Sequence, residues 1–308
     1  MKIIFVSNSQ FGVKVLERLL ENNIVPFCLI SSSDKKIGRG HQIKSLFIKD
    51  FAREKNIKIK EADSHQEFHK AIGAEKPDLV LVTATGMIIK KETLDLSFFV
   101  NIHPSLLPKY RGTTPIQSAI MNDEKKNGVS LIKMSHKIDS GPIIVQEEVV
   151  FDDRINYKDA EEKLAVTGAD LTLKILPLIQ EDKILLKEQD ENKATYTEIL
   201  CKEDGKINWN EPAKIIERKI RALNPWPGTH SHINNKRFKV LDADVQEQTE
   251  SGPFGEPGKV YLGTNYTLAV QTGKDFLLIK KLQLEGKNPT LSKDFLQGNI
   301  DSIGVVLN

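Results

Sequence analysis

Asn101 and His103 stand two residues apart where the run Leu94-Asp-Leu-Ser-Phe-Phe-Val-Asn-Ile-His103 gives way to Pro104. In an extended strand, positions i and i+2 point to one face, so an amide and an imidazole are presented together. Asp139, in the turn Lys137-Ile-Asp-Ser-Gly-Pro142 between two apolar runs, could bring a carboxylate to them. The amide offers a donor to a developing oxyanion and the imidazole carries a proton. A carboxylate beside an imidazole orients the ring and raises its basicity. No Ser or Cys nucleophile is needed. Such a set suits direct acyl transfer, in which an amine attacks a carbonyl while the protein manages charge and protons.

Those residues need a sheet edge to hold them. Lys2-Ile-Ile-Phe-Val6 reads as a first buried strand, and residues 12–21 place Val15, Leu16, Leu19 and Leu20 at helical spacing. Further strands are expected at 24–31 and 79–84, and from Phe98 to the stop imposed by Pro104. Strands alternating with helices imply a mostly parallel sheet, whose carboxyl edge is where ligands collect. The turn Ser7-Asn-Ser-Gln-Phe-Gly12 lacks the Gly-x-Gly-x-x-Gly of a dinucleotide site, which disfavours such a cofactor. Beyond the site, a helix at 115–121 and strands at 128–134 and 143–151 are expected. A long amphipathic helix follows at 157–179, with Leu164, Leu171, Ile175 and Leu178 on its apolar side. This completes an α/β, Rossmann-like domain over 1–182.

Residues 183–204 are polar and charged and read as a linker. A smaller domain, 205–308, opens with a helix at 214–223. Short apolar runs then recur at 238–241, 258–262, 267–271 and 276–279, the pattern of an OB-like β-barrel. Leu223-Asn-Pro-Trp-Pro-Gly228 is rigid by construction, with Trp226 as a candidate anchor in a packed corner.

A chain of 308 residues, 39% hydrophobic and 28% charged, is globular in composition. No apolar run reaches the roughly 18 residues that cross a bilayer, and no signal peptide is expected. Cys28 and Cys201 alone make neither a disulfide framework nor a zinc site, which fits a reducing cytoplasm. His65 with His69, and His230 with His232, lack further ligands at metal spacing, so no metal is expected and these histidines read as surface residues. A net charge of +2 leaves nucleic-acid binding to local clusters. One such cluster joins Lys206, Lys214, Arg218, Lys219, Arg221, Lys236, Arg237 and Lys239, opposed there by Glu211 and Glu217.

Asn101-x-His103, the Ser105-Leu-Leu-Pro108 element, Arg111-Gly112-x-x-Pro115, and Asp139 with Gly141 together carry a resemblance. With them the chain resembles the enzymes that transfer a formyl group from 10-formyltetrahydrofolate, most of all the branch acting on methionyl-tRNA. Lys202-Glu-Asp-Gly-Lys-Ile-Asn-Trp209 and the Asn-Pro-Trp-Pro-Gly element are similar to those opening that branch's C-terminal domain, so the likeness covers nearly the whole chain.

The resemblance implies Asn101, His103 and Asp139 as catalytic residues and 10-formyltetrahydrofolate as donor. Folate contacts would come from Ser105, Leu106, Leu107 and Pro108, with Gly86, Met87 and Ile88 walling a pterin pocket. Thr85 stands where family members often carry an aromatic. Arg39, in the basic loop Gly38-Arg39-Gly40, and Lys206 would contact the tRNA. The expected partner is initiator methionyl-tRNA, and the expected state a cytoplasmic monomer away from membranes. A formyltransferase acting on an amino sugar nucleotide would keep the same three catalytic residues, and the Gly-Arg-Gly loop is the internal feature that separates the two. An RNA-binding protein on a degenerate scaffold is the non-enzymatic alternative, against which the intact trio argues.

Overall fold

Ile3–Ser7 (β1) is buried at every position, as a strand covered on both faces must be. In the computed structural model, which describes residues 1–37, 42–234, 236–248 and 255–308, it forms the centre of the first of two units. Around it lie α1 (Gln10–Glu21), β2 (Cys28–Ser31), the hairpin β3 (Lys35–Ile37) and β4 (Gln42–Lys44), α2 (Phe47–Glu54), β5 (Ile59–Glu61), α3 (His65–Glu75), β6 (Leu79–Thr83), α4 (Lys91–Leu94) and β7 (Phe98–His103). The chain continues through α5 (Pro115–Met121), β8 (Lys126–Lys133), β9 (Ile143–Val150) and α6 (Tyr157–Gln180). The sheet runs β5-β2-β1-β6-β7-β8-β9, parallel as far as β7 and antiparallel beyond it. The mostly parallel, Rossmann-like sheet read from the sequence is therefore present.

Local chemistry sets several boundaries. Ser9 caps α1 by accepting from the Gly12 N–H, and Ser64 with Glu67 forms a capping box on α3. The second strand begins at Cys28 rather than Ile24, beyond Pro26, which has no N–H to give a ladder. On α6, Leu164, Leu171 and Ile175 are buried as expected, whereas Leu178 lies in the last turn and is 42% exposed.

Residues 183–204, expected as a linker, divide at Glu198. The unit built on the Rossmann-like sheet comprises Met1–Pro115, Lys125–Phe151 and Lys158–Glu198. Lys187 exchanges backbone hydrogen bonds with Ile143, at 2.7 and 2.9 Å, and Thr195 and Thr197 pair with Arg111 at 2.9 and 2.8 Å. Composition misses this because the segment is fastened by backbone and polar side chains, with no apolar period of its own.

The second unit comprises Ile116–Glu124, Asp152–Tyr157 and Ile199–Asn308. It contains α7 (Ala213–Leu223), β10 (His230–Ile233), β11 (Lys236–Gln246), β12 (Val260–Leu262), β13 (Leu268–Gln271), β14 (Phe276–Leu284), β15 (Thr290–Leu291) and α8 (Ser292–Gln297). Its strands are antiparallel in the order β10-β11-β14-β13-β12, with β15 on β14, over a core that includes Trp209, Ile216, Ile220, Phe238, Val240 and Leu277. The expected barrel takes the form of a curled sheet whose two edges share one segment. Val260 donates to the Val305 carbonyl and Leu307 to that of Gly258, while His232 N and Ser231 Oγ donate to the carbonyl of Asn308.

Two sequence expectations change here. Trp226 is 53% exposed rather than an anchor. The turn is fastened instead by Asn224, whose amide donates to the carbonyls of Ile220 and Val240, and by the Gly228 N–H on Leu223. Nor are all the histidines superficial. His230 is only 6% exposed, and desolvation pushes its pKa down. His65 and His69 are half-buried, both within 2.9 Å of the buried Thr93 hydroxyl. Among the described residues, no three His, Cys, Asp or Glu side chains converge as metal ligands. Among them also, no helix is long and apolar enough to cross a membrane.

Candidate active site

β7 ends as its sequence requires. Val100 and Ile102 face the core, and the alternate positions Asn101 and His103 emerge together at the carboxyl edge of the parallel strands. Asn101 Nδ2 donates to Asp139 Oδ1 at 3.0 Å, and the Gly112 N–H donates to Asp139 Oδ2 at 2.9 Å. His103 Nδ1 lies 3.6 Å from the same Oδ2, close enough for an ion pair but longer than a hydrogen bond. The three residues separated by up to 38 positions in sequence thus meet at one place. His103 Nε2 lies 2.9 Å from the Tyr110 carbonyl. A carbonyl can only accept, so Nε2 carries the hydrogen and Nδ1 is the nitrogen that faces Asp139.

The backbone around this cluster is strained. Tyr110 has φ 60° and Asp139 φ 47°, both in the left-handed region, and such residues persist only where their surroundings over-determine them. Tyr110 is held by its N–H on Thr195 Oγ1, at 2.8 Å, and by its carbonyl on His103. Asp139 and Gly141 are held through their carbonyls by the Gln189 amide, at 2.8 and 2.7 Å. At Gly141 a Cβ would come within 1.9 Å of the Lys133 carbonyl oxygen, so only glycine lets the turn close on β8.

The Ser105 to Pro108 element is tied down from beneath. Ser105 and Leu107 are buried, at 0% and 3% exposure, while Leu106 and Pro108 are half-buried. Ser105 Oγ donates to the Lys109 carbonyl, Ser130 Oγ to the Ser105 carbonyl, and the Gln146 amide to the Leu107 carbonyl. Leu107 packs with Ile132 and Ile143.

Further along the same edge, a small recess is lined by Asn8, Ser32, Phe68, Thr85, Met87 and Ile89. Asn8 organises it: its carbonyl accepts from Ser31 Oγ and the Ser32 N–H, and its amide donates to Ser32 Oγ and the Thr85 carbonyl. The turn that lacked the dinucleotide glycines is instead fastened by an asparagine. Gly86 has φ 67° with nothing within 4 Å of a built Cβ, so glycine serves backbone shape there. Thr85 Oγ1 caps the loop through the Met87 N–H, and Ile88 points outward at 71% exposure.

Arg111 is fully buried, and its guanidinium meets Gln189 Oε1, both oxygens of Glu191 and the Tyr196 hydroxyl. The Glu191 carboxylate raises its pKa, and Arg111 in turn holds Glu191 below the usual carboxylate range. Asn8, Gln189 and Glu191 escaped the sequence reading. The position of Asn8 after the first strand was the one available signal; a Gln in a charged stretch carries none.

Of the two residues expected to touch tRNA, Arg39 lies outside the described residues. Lys206 is exposed and bridges in parallel to His230. In the ladder His230 pairs with Lys239 and His232 with Arg237, on the face opposite Phe238 and Val240. Lys214, Arg218, Lys219 and Arg221 are each paired with a carboxylate, of Glu247, Asp123, Glu211 and Glu217. Among the described residues, Lys206, Lys236, Arg237 and Lys239 have no such partner, and Arg237 Nε is buried without a hydrogen bond.

Comparison with known proteins follows the two units. The family described as formyl transferase matches residues 1–179, and that described as formyl transferase, C-terminal domain, matches residues 199–299. The methionyl-tRNA formyltransferase of Syntrophomonas wolfei is 35% identical over 312 residues, covering 100% of this chain and 98% of that protein. HypX from Aquifex aeolicus, solved with tetrahydrofolic acid, superposes with a TM-score of 0.68 at 17% identity, over 98% of this chain and 48% of its own. An N-formyltransferase from Helicobacter canadensis, solved with folinic acid and dTDP-3-aminofucose, gives 0.66 at 20% identity, over 92% and 99%. At those identities the two structures speak to the fold alone. The chain belongs to the formyl transferase family, on the branch whose curated relatives are named methionyl-tRNA formyltransferase.

Proposed function

We propose that this protein transfers a formyl group from 10-formyltetrahydrofolate to the α-amine of methionyl-tRNA, the initiator form. The products are N-formylmethionyl-tRNA and tetrahydrofolate. The observation that carries the reading is the meeting of Asn101, His103 and Asp139 at a ligand-binding sheet edge. The hydroxyls beside them, Ser105 and Ser130, are committed to backbone carbonyls, so the attacking group comes from the substrate.

One N–H of Asn101 holds Asp139, and the other, with the Nδ1–H of protonated His103, donates to the oxyanion that develops as the amine attacks the formyl carbon. Asp139, its oxygens oriented by Asn101 and Gly112, takes the proton leaving the amine through a water. The oxyanion's electron pair then re-forms the carbonyl as the C–N10 bond breaks, and the proton held by Asp139 returns through water to N10, which leaves as N–H. A recess with apolar walls and a few fixed polar groups suits a flat pterin. Met87 lines it, Gly86 shapes the loop beside it and the exposed Ile88 stands at its rim for the donor to cover, with Leu106 and Pro108 nearer the reacting carbon and Ser105 and Leu107 shaping their loop from behind. Arg39 and Lys206 contact the tRNA, and Arg237 and Lys239 extend Lys206 into a phosphate-binding row. The enzyme works as a cytoplasmic monomer.

The test is turnover of the purified protein with 10-formyltetrahydrofolate and either methionyl-tRNA or a panel of amino sugar nucleotides. Formylation of methionyl-tRNA is the expected result. Preferential formylation of a sugar amine would overturn the acceptor, and no transfer to any amine would overturn the reaction.

A further inference from the structure

Gln189 lies outside the trio, yet both ends of its amide are engaged. Nε2 donates to the carbonyls of Asp139 and Gly141, and Oε1 accepts from Arg111 Nε and Nη2 at 3.2 and 2.8 Å. The buried Arg111 is immobilised in turn by Glu191, at 2.7 and 2.9 Å, and by the Tyr196 hydroxyl, at 3.0 Å. The turn so gripped bears Asp139 in a left-handed conformation, and its carboxylate makes the contacts to Asn101 and Gly112. Two carbonyls two residues apart, both pointing at one amide nitrogen, fix how that turn is rotated.

We infer that Gln189 is a positioning residue for formyl transfer. It clamps the 139–141 turn so that the Asp139 carboxylate stays on Asn101 and beside His103, with Arg111 as its rigid mount. The inference rests on the formyl-transfer reading, and its test separates the two.

Gln189→Glu keeps the size and the acceptor for Arg111 but sets a carboxylate oxygen against two carbonyls where an N–H donor stood. A displaced catalytic group commonly costs up to about 100-fold in rate. In Q189E kcat is expected to fall roughly 10- to 100-fold, with KM for both substrates within about threefold and Tm nearly unchanged. Glu75→Gln, which removes the ion pairs to Lys2 and Lys60 and touches none of these groups, is the stability control. It should lower Tm while keeping kcat within about threefold.

A second readout needs no activity. The Gly112 amide is protected by Asp139 Oδ2, so in Q189E its hydrogen exchange should accelerate about tenfold while β7 amides keep their native rates. Unchanged exchange at Gly112, native kcat in Q189E, or a kcat loss that merely follows Tm would each overturn the clamp. Faster exchange at Gly112 in a protein that formylates no amine would sustain the clamp and overturn the reaction assigned to it.

Discussion

The two units treat charge in opposite ways. At the sheet edge of the first, both oxygens of Asp139 and the Nε2 of His103 have partners within the chain at 2.9–3.0 Å, and the buried Arg111 has several more. On β10 and β11 of the second, Lys206, Arg237 and Lys239 lie on or beside one outer face without an ion pair to a described carboxylate. Stabilising a short-lived charge requires donors fixed before the reaction begins. Holding a polyanion requires positive charge that the protein has not already neutralised. On the proposed function, the first unit performs the chemistry and the second grips the acceptor electrostatically.

Replacing His103 should break the contrast most severely. Loss of a donor aimed at an oxyanion commonly costs about 100- to 1000-fold in rate, so His103→Ala should lower kcat by that order while the dissociation constant for the folate donor stays near native. Near-native kcat would remove His103 from the chemistry.

Gly141→Ala comes next, because its Cβ would meet the Lys133 carbonyl and push the turn off β8. Turnover should fall at least about tenfold with little change in the far-ultraviolet circular dichroism, since only the turn is displaced. Native turnover would mean that the rotation of Asp139 is immaterial.

On the other side of the contrast, Arg237→Ala with Lys239→Ala should raise KM for methionyl-tRNA several-fold and leave kcat nearly alone. The slope of log affinity against log salt should fall by about one for each cation removed. An unchanged salt slope would deny the row any phosphate contact.

The smallest effect sharpens the point that paired charge in the first unit serves stability. Glu75, held chiefly by Lys2 and then by Lys60, has its pKa lowered from 4.5 to about 2. A carboxylate depressed in the folded state stabilises it above the unfolded pKa, and that contribution fades as pH falls from about 4.5 toward 2. Glu75→Gln should therefore lower Tm by a few degrees at pH 7, and the difference from the native protein should shrink across that window. A Tm gap independent of pH would rule out the ion pairs as its source.

How legible this was in the sequence depended on the range of the interaction. Asn101 and His103 were readable because strand alternation is local, and Pro104 marked the end. Asp139 was found by its place in a turn, but its contact with Asn101 belongs to tertiary structure. The parallel sheet and most of α6 followed from periodicity. Trp226 was misjudged because size alone does not say where a ring points between two prolines. Half of the basic cluster was overvalued, since the carboxylates that neutralise it include Asp123 and Glu247, far along the chain. Gln189 left no trace, because one amide in a charged stretch has neither period nor spacing.

The mount built by Arg111, Gln189, Glu191 and Tyr196 also bears on the order of synthesis. Every strand of the first sheet precedes residue 151, whereas the groups that lock the reactive turn lie between 187 and 197. At about 5–20 residues per second, a ribosome needs roughly 2 to 10 s to pass from the end of β9 to Thr197. During that interval a growing chain carries Asn101, His103 and Asp139 without their final arrangement. A translation product halted near residue 182 would present the recess around Asn8 but hold its reactive turn unlocked.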